Sequence, residues 1–153
     1  MGSFSKTSAE RLSTCEEYIQ KVMNKAIELS PIDFGIAQGD RSVELQKQYF
    51  NEGKSKVNPD NYTEEELPLK GKHIVNAIYT KAGAVDIYAY IPGVGASWDL
   101  KYLCILYGVI MAIDKSMENR MRCGINWDSD GIVITDQSFL DAPHYEMIIR
   151  TKG

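Results

Sequence analysis

The chain of 153 residues has the length of one ordinary domain, and its 44% apolar and 25% charged residues suit a folded protein that needs no covalent staple. A net charge of −4 lacks the basic footprint of a nucleic-acid binder and disfavours adhesion to an anionic surface. The cysteines Cys15, Cys104 and Cys123 are odd in number, widely spaced and without a C-x-x-C pair, so they read as free, buried thiols in a reducing compartment.

Met1 to Ser8 is polar and carries no apolar signal-like stretch, and the first ten residues are expected to be flexible. Ser13 followed by Glu16 has the form of a capping box. It opens a helical pattern of Tyr18, Ile19, Val22, Met23, Ala26, Ile27 and Leu29, which Pro31 ends. Phe34 to Ala37 is a short apolar run that suits a strand. Ser42 can cap a helix over Val43 to Glu52, with Gly53 placed to stop it. Lys54 to Lys72 is polar, holds Asn58, Pro59, Asn61 and Pro68, and reads as a long loop.

Ala84 to Ile91 mixes small, β-branched and aromatic residues and reads as a strand, broken by Pro92, Gly93 and Gly95. Ser97 can cap a core helix from Trp98 to about Met117. Its apolar stretch, Tyr102 to Ile113, is shorter than the ~20 residues a membrane span needs. Arg122 to Trp127 and Tyr145 to Arg150 are expected to be short strands around an acidic turn at Asp128 to Asp136. No repeat or linker interrupts the chain, so a single domain over residues 1–153 of the α+β class is expected.

Chemistry concentrates at the two histidines. His73 is followed by Gly83-Ala84-Val85-Asp86, and His144 lies in Asp141-Ala142-Pro143-His144-Tyr145-Glu146. Two histidines and one carboxylate match the three protein ligands of a catalytic zinc, with a position left for water. Such chemistry also needs a further carboxylate to take a proton, and Asp141 is placed for it. Histidines beside aspartates also occur on solvated surfaces, and no compact H-E-x-x-H signature is present.

At these residues the sequence resembles the zinc D-Ala-D-Ala carboxypeptidase superfamily, and within it the phage endolysins that act as L-alanyl-D-glutamate peptidases. The carrying segments are Lys72-His73, Ala84-Val85-Asp86 and Asp141 to Glu146. Gly39-Asp40-Arg41-Ser42 with Gln46, Gly53-Lys54-Ser55-Lys56, and Cys123-Gly124-Ile125-Asn126-Trp127-Asp128 extend the likeness in order from about Arg11 to the C-terminus.

The resemblance implies the superfamily's hedgehog-like fold: a small antiparallel sheet with flanking helices. It implies zinc on His73, Asp86 and His144, with Asp141 as general base and Arg41 at the substrate and its oxyanion. Gln46 and Ser55 are expected to serve packing or loop hydrogen bonds. The chain departs from the pattern in the longer segment between His73 and Asp86, where Ile74 to Ala82 is expected to loop out near the metal. It also departs at Cys123 and Ile125. Asp128-Ser129-Asp130-Gly131 with Asp136 could hold Ca2+, or be a solvated turn.

The implied function is a peptidoglycan hydrolase cutting the stem peptide between L-Ala and D-Glu. It would be a monomer that does not insert into membranes, accumulates in the host cytoplasm and acts after release. The alternatives are a D-Ala-D-Ala carboxypeptidase or dipeptidase on the same site, and a non-catalytic zinc-containing cell-wall-binding module.

Overall fold

A computed structural model describes residues 2–129, 131 and 140–153. Helix α1 (Lys6–Leu12) is capped by Ser5, whose Oγ accepts from the Ser8 backbone N–H. It occupies much of the stretch read as a flexible lead. Ser8 Oγ accepts from Ile36 N and Arg11 Nη1 donates to the Ile36 carbonyl, which ties α1 to the sheet edge.

The Ser13–Glu16 capping box does not form. Ser13 instead caps the C-terminus of α1, and its hydroxyl donates to the Glu10 carbonyl. Helix α2 (Glu17–Leu29) begins without a side-chain cap, because the Glu16 carboxylate accepts from Thr151 N near the other end of the chain. Tertiary pairing has outcompeted the local motif.

Strand β1 (Asp33–Gln38) leads to α3 (Val43–Asn51), where Ser42 Oγ accepts from Leu45 N as the cap pattern predicts. The polar stretch that follows is less irregular than expected. It holds a 3-10 turn at Pro59–Asn61 and the single-turn helix α4 (Leu67–Lys70). Strand β2 (Ala84–Ile91) turns back through Gly93 and Gly95, both at positive φ, into the short strand β3 (Gly95–Ser97). Helix α5 (Leu100–Ser116) takes Asp99 as its cap.

Strands β4 (Met121–Gly124) and β5 (Asp141–Met147) complete an antiparallel sheet ordered β1-β2-β5-β4, with β3 also on β2. Both of the last strands differ from their predicted bounds. β4 ends three residues before Trp127, and β5 starts four residues earlier than Tyr145, with Pro143 inside it. A proline argues against a strand in sequence, yet Pro143 falls where the β4–β5 register slips between Cys123 and Gly124. A bulge tolerates a residue that cannot donate to the ladder.

One face of the sheet is covered by α2 and α5. Ile19, Val22, Met23, Ala26, Leu103, Leu106 and Ile110 pack there on Ile36, Val85, Ile87, Tyr145 and Met147. Cys15 and Cys123 are buried in this core, and burial raises both thiols to about 12, so they are inert. Among the described residues, no helix is long and apolar enough to cross a membrane.

The segment Ile74 to Ala82 does not loop out over the site. Ile74, Tyr79 and Ala82 are buried, and Ala82 pairs with Cys15. Arg150, itself buried, donates to the carbonyls of Pro68, Ile74 and Lys81 and lies over the Tyr79 ring. The added residues have found a guanidinium that satisfies their backbone, so they belong to the packed structure.

Candidate metal centre and substrate cleft

Register brings the first pair together. Asp86 on β2 lies directly opposite His144 on β5, and Asp86 Oδ1 is 3.0 Å from His144 Nδ1. His73 arrives from the chain before β2. Its carbonyl accepts from Arg41 N and Val75 N donates to the Arg41 carbonyl, a parallel bridge that fixes both segments side by side.

The His73 ring is oriented from behind, with Nδ1 2.7 Å from the Gly39 carbonyl. A carbonyl can only accept, so Nδ1 carries a proton, and Nε2 is the nitrogen that faces Asp86. Gly39 can do this because it sits against the α1–α2 corner, where a Cβ would run into the Arg11 carbonyl and Thr14 Oγ1.

His73 Nε2 lies 3.3 Å from Asp86 Oδ2 but out of line for a hydrogen bond. It is buried with no hydrogen-bond partner among the described residues. Such an orphan is rare in a protein interior and points to an electrophile. One ligand atom each of His73, Asp86 and His144 lies within 4.8 Å of the others. The donor set of two imidazoles and a carboxylate suits a catalytic zinc.

Glu146 supports His144 from the next same-face position on β5. Its Oε1 is 2.8 Å from His144 Nε2. Its Oε2 is held by Lys72 Nζ at 3.1 Å and by Arg122 Nη2 at 2.9 Å. Thus Glu146 accepts from the far side of the ring while Nδ1 faces Asp86, the relation that second-sphere carboxylates have to metal-bound histidines.

The electrostatics follow. Burial raises the Asp86 carboxyl, but the contacts with His144 and His73 outweigh it and hold the group well below the usual range. Burial lowers His144, yet Asp86 and Glu146 outweigh that and bring it up to about 9. Burial likewise opposes ionisation of Glu146, which His144 and Lys72 bring down to about 2. The metal-free site is therefore an imidazolium between two carboxylates.

Asp141 opens β5 opposite Gly124. Residues three apart on a regular strand face opposite ways, and the bulge at Gly124 removes that conflict, so Asp141 and His144 line one cleft. Gly124 allows the close approach, since a Cβ there would overlap the Asp141 carbonyl. Burial raises the Asp141 carboxyl above its ordinary value, the direction that suits a group exchanging protons near neutrality.

Arg41 lines the same cleft of about 540 Å³ with Tyr49, Lys54, Lys72 and Trp127. Its Nη1 donates to Gln46 and its Nη2 to Gln38, and the guanidinium lies 4.9 Å over the Tyr49 ring. Burial lowers its pKa, while Asp86 acts the other way. The buried Gln46 amide in turn donates to Ser55 Oγ and the Val57 carbonyl. Gln46 and Ser55 therefore brace Arg41 and the following loop, as the sequence reading expects. Trp127 packs 5.5 Å from the His144 ring.

Every sequence-predicted metal and catalytic candidate thus falls in one cleft. Sequence reasoning gave no role to the support by Glu146, Lys72, Arg122 and the Gly39 carbonyl. The same-face spacing of His144 and Glu146 was the available signal. Asp130 and Asp136 of the possible Ca2+ turn lie outside the described residues.

The model of the phage L-alanyl-D-glutamate peptidase family matches residues 1–148. The L-alanyl-D-glutamate peptidase of Escherichia phage T5 is 32% identical over 129 residues, 84% of this chain and 83% of that protein. The crystal structure of the Serratia marcescens L-Ala D-Glu endopeptidase ChiX superposes with a TM-score of 0.69 at 20% identity, covering 95% of this chain and 90% of that one, a likeness of fold. The family match over nearly the whole length, joined to the fold and the convergent His73–Asp86–His144 cluster, establishes that this chain belongs to the phage L-alanyl-D-glutamate peptidase family.

Proposed function

We propose that the chain is a zinc-dependent peptidoglycan endopeptidase that hydrolyses the L-Ala–D-Glu bond of the stem peptide. The observation that carries the metal reading is the buried, unpartnered His73 Nε2 beside Asp86 and His144. The bond assignment rests on family membership. Bound zinc supplies Lewis acidity at the scissile carbonyl and makes water acidic enough to lose a proton near neutral pH.

The chain's own residues do the rest. His73, Asp86 and His144 hold the ion, and the Gly39 carbonyl and Glu146 keep each imidazole turned to it. Asp141 accepts the proton of the attacking water and returns it to the leaving amine of D-Glu. Arg41, locked by Gln38 and Gln46, places a fixed positive charge for the oxygen that becomes negative as the carbonyl is attacked. Lys54 and Lys70 at the cleft favour a substrate that carries carboxylates.

Mass spectrometry of fragments from purified peptidoglycan tests the bond: new D-Glu N-termini support the reading. Release of free D-Ala with the L-Ala–D-Glu bond intact would assign the site to carboxypeptidase chemistry.

A further inference from the structure

Asp86, Tyr88 and Tyr90 alternate along β2, while Ile87 and Ala89 between them are buried in the core. The three side chains therefore share the outer face of the sheet, with the metal cluster at one end and aromatic rings beyond it. Gly35 stands opposite Tyr88 in the ladder, and a Cβ there would overlap the Tyr88 ring. The ring lies in the room that glycine leaves. Trp98, just past β3, packs 5.6 Å from Tyr88. Tyr90 and Trp98 are 48% and 55% exposed, rings left in water by the fold. A groove of about 190 Å³ beside the two tyrosines has Ser3, Ser5, Asp33, Tyr88 and Tyr90 in its lining.

We propose that this outer face is a docking platform for the amino-sugar glycan of peptidoglycan, on the acyl side of the scissile bond. The proposal rests on the endopeptidase reading. Flat aromatic rings offer an apolar surface to the C–H faces of pyranose rings. Hydroxyls and a carboxylate at the rim match the hydroxyl and amide groups of amino sugars.

Chain length decides the placement. In peptidoglycan, L-Ala is joined to the sugar through one lactyl group, so the sugar lies about two residue lengths, or ~7 Å, from the bond to be cut. Along β2, Tyr88 stands ~7 Å and Tyr90 ~13 Å from Asp86. A substrate held at the metal cluster therefore brings its sugar onto these rings without a spacer. Asp86 lines the cleft and heads this row of side chains, so the first ring stands two residues from it, the nearness that a cut so close to the glycan requires.

Two measurements test it. Kinetics compare a disaccharide-linked stem peptide with the same stem freed of its sugar. Tyr90→Ala and Trp98→Ala should raise KM for the sugar-linked stem about tenfold relative to the free stem, with kcat little affected, the loss typical of one truncated anchor ring. Equal changes in KM on both substrates, or none on either, would overturn the platform. If the wild-type protein cuts neither stem, the endopeptidase reading fails.

The second measurement does not depend on catalysis. Stem-free glycan strands titrated into the labelled protein should shift the Trp98 indole N–H signal, and Trp98→Ala should weaken binding. Glycan that leaves that signal in place at saturating polymer would overturn the proposal, whatever the protein cleaves.

Discussion

Glu146 is the residue whose removal says most about how the site is built. Its side chain is 9% exposed and joins three groups: His144 Nε2 at 2.8 Å, Lys72 Nζ at 3.1 Å and Arg122 Nη2 at 2.9 Å. Glu146→Ala leaves the far nitrogen of His144 without its acceptor and two cations without their carboxylate. Loss of an outer-shell partner typically weakens metal binding by about 10–100-fold, or ~1.4–2.7 kcal/mol. Breaking a buried ion pair costs about 3–5 kcal/mol. Arg122 is 38% exposed and can rehydrate, so the fold should lose toward the lower end of that range. Glu146→Gln separates the two effects, since its amide oxygen still accepts from His144 while the charge facing Lys72 and Arg122 is gone. Competition with a chromophoric chelator reads zinc affinity, and thermal melting with excess chelator reads the metal-free fold. We expect Glu146→Ala to lose both and Glu146→Gln to lose stability but keep most of its affinity. A folded Glu146→Ala protein that binds zinc as tightly as the parent would refute the positioning role.

Arg41→Ala should lower turnover by about 10²–10³-fold while leaving zinc content at the parental level, measured by metal analysis beside single-turnover cleavage. Arg41→Lys should recover little, because a point charge cannot reproduce the paired contacts with Gln38 and Gln46. Gly124→Ala should impair cleavage and lower the melting temperature, since the new methyl group meets the Asp141 carbonyl; parental activity would contradict the close approach. In the zinc-free protein, the raised His144 pKa contributes stability that is fully present below its ordinary 6.5 and is lost as pH rises through about 9. Urea unfolding with chelator should show that decline between about pH 6 and about pH 10, and His144→Gln should flatten it.

Much of the fold is legible because it is local. Ser42 and Gly53 bound α3, and the apolar stripe from Tyr18 to Ile27 specifies α2. The misreadings share one cause, which is that distant partners decide them. Residues Lys6 to Leu12 form a helix held through Ser8 and Arg11 to Ile36, a partner that no local pattern announces. Glu16 abandons the capping box for Thr151. Gly95–Ser97 is too short to show alternation and is a strand because β2 offers it an edge. Pro143 hid the start of β5, since only the slipped register shows that its missing N–H is not needed. The site shows the same division. The motifs give His73, Asp86, His144 and Asp141 their roles, whereas the roles of Lys72, Arg122 and Gly39 come from contacts between separate segments, although Lys72 and Gly39 lie within matched segments.

The account turns most directly on the rate of the Asp141→Asn protein at measured zinc content. Asparagine keeps the shape of the side chain and removes its basicity. With His73, Asp86 and His144 as the metal ligands, zinc should stay at the parental level while cleavage of the stem peptide falls by about 10²–10⁴-fold. Full activity with zinc retained would mean that another group moves the proton. Loss of the metal would make Asp141 a ligand and contradict the arrangement of the site.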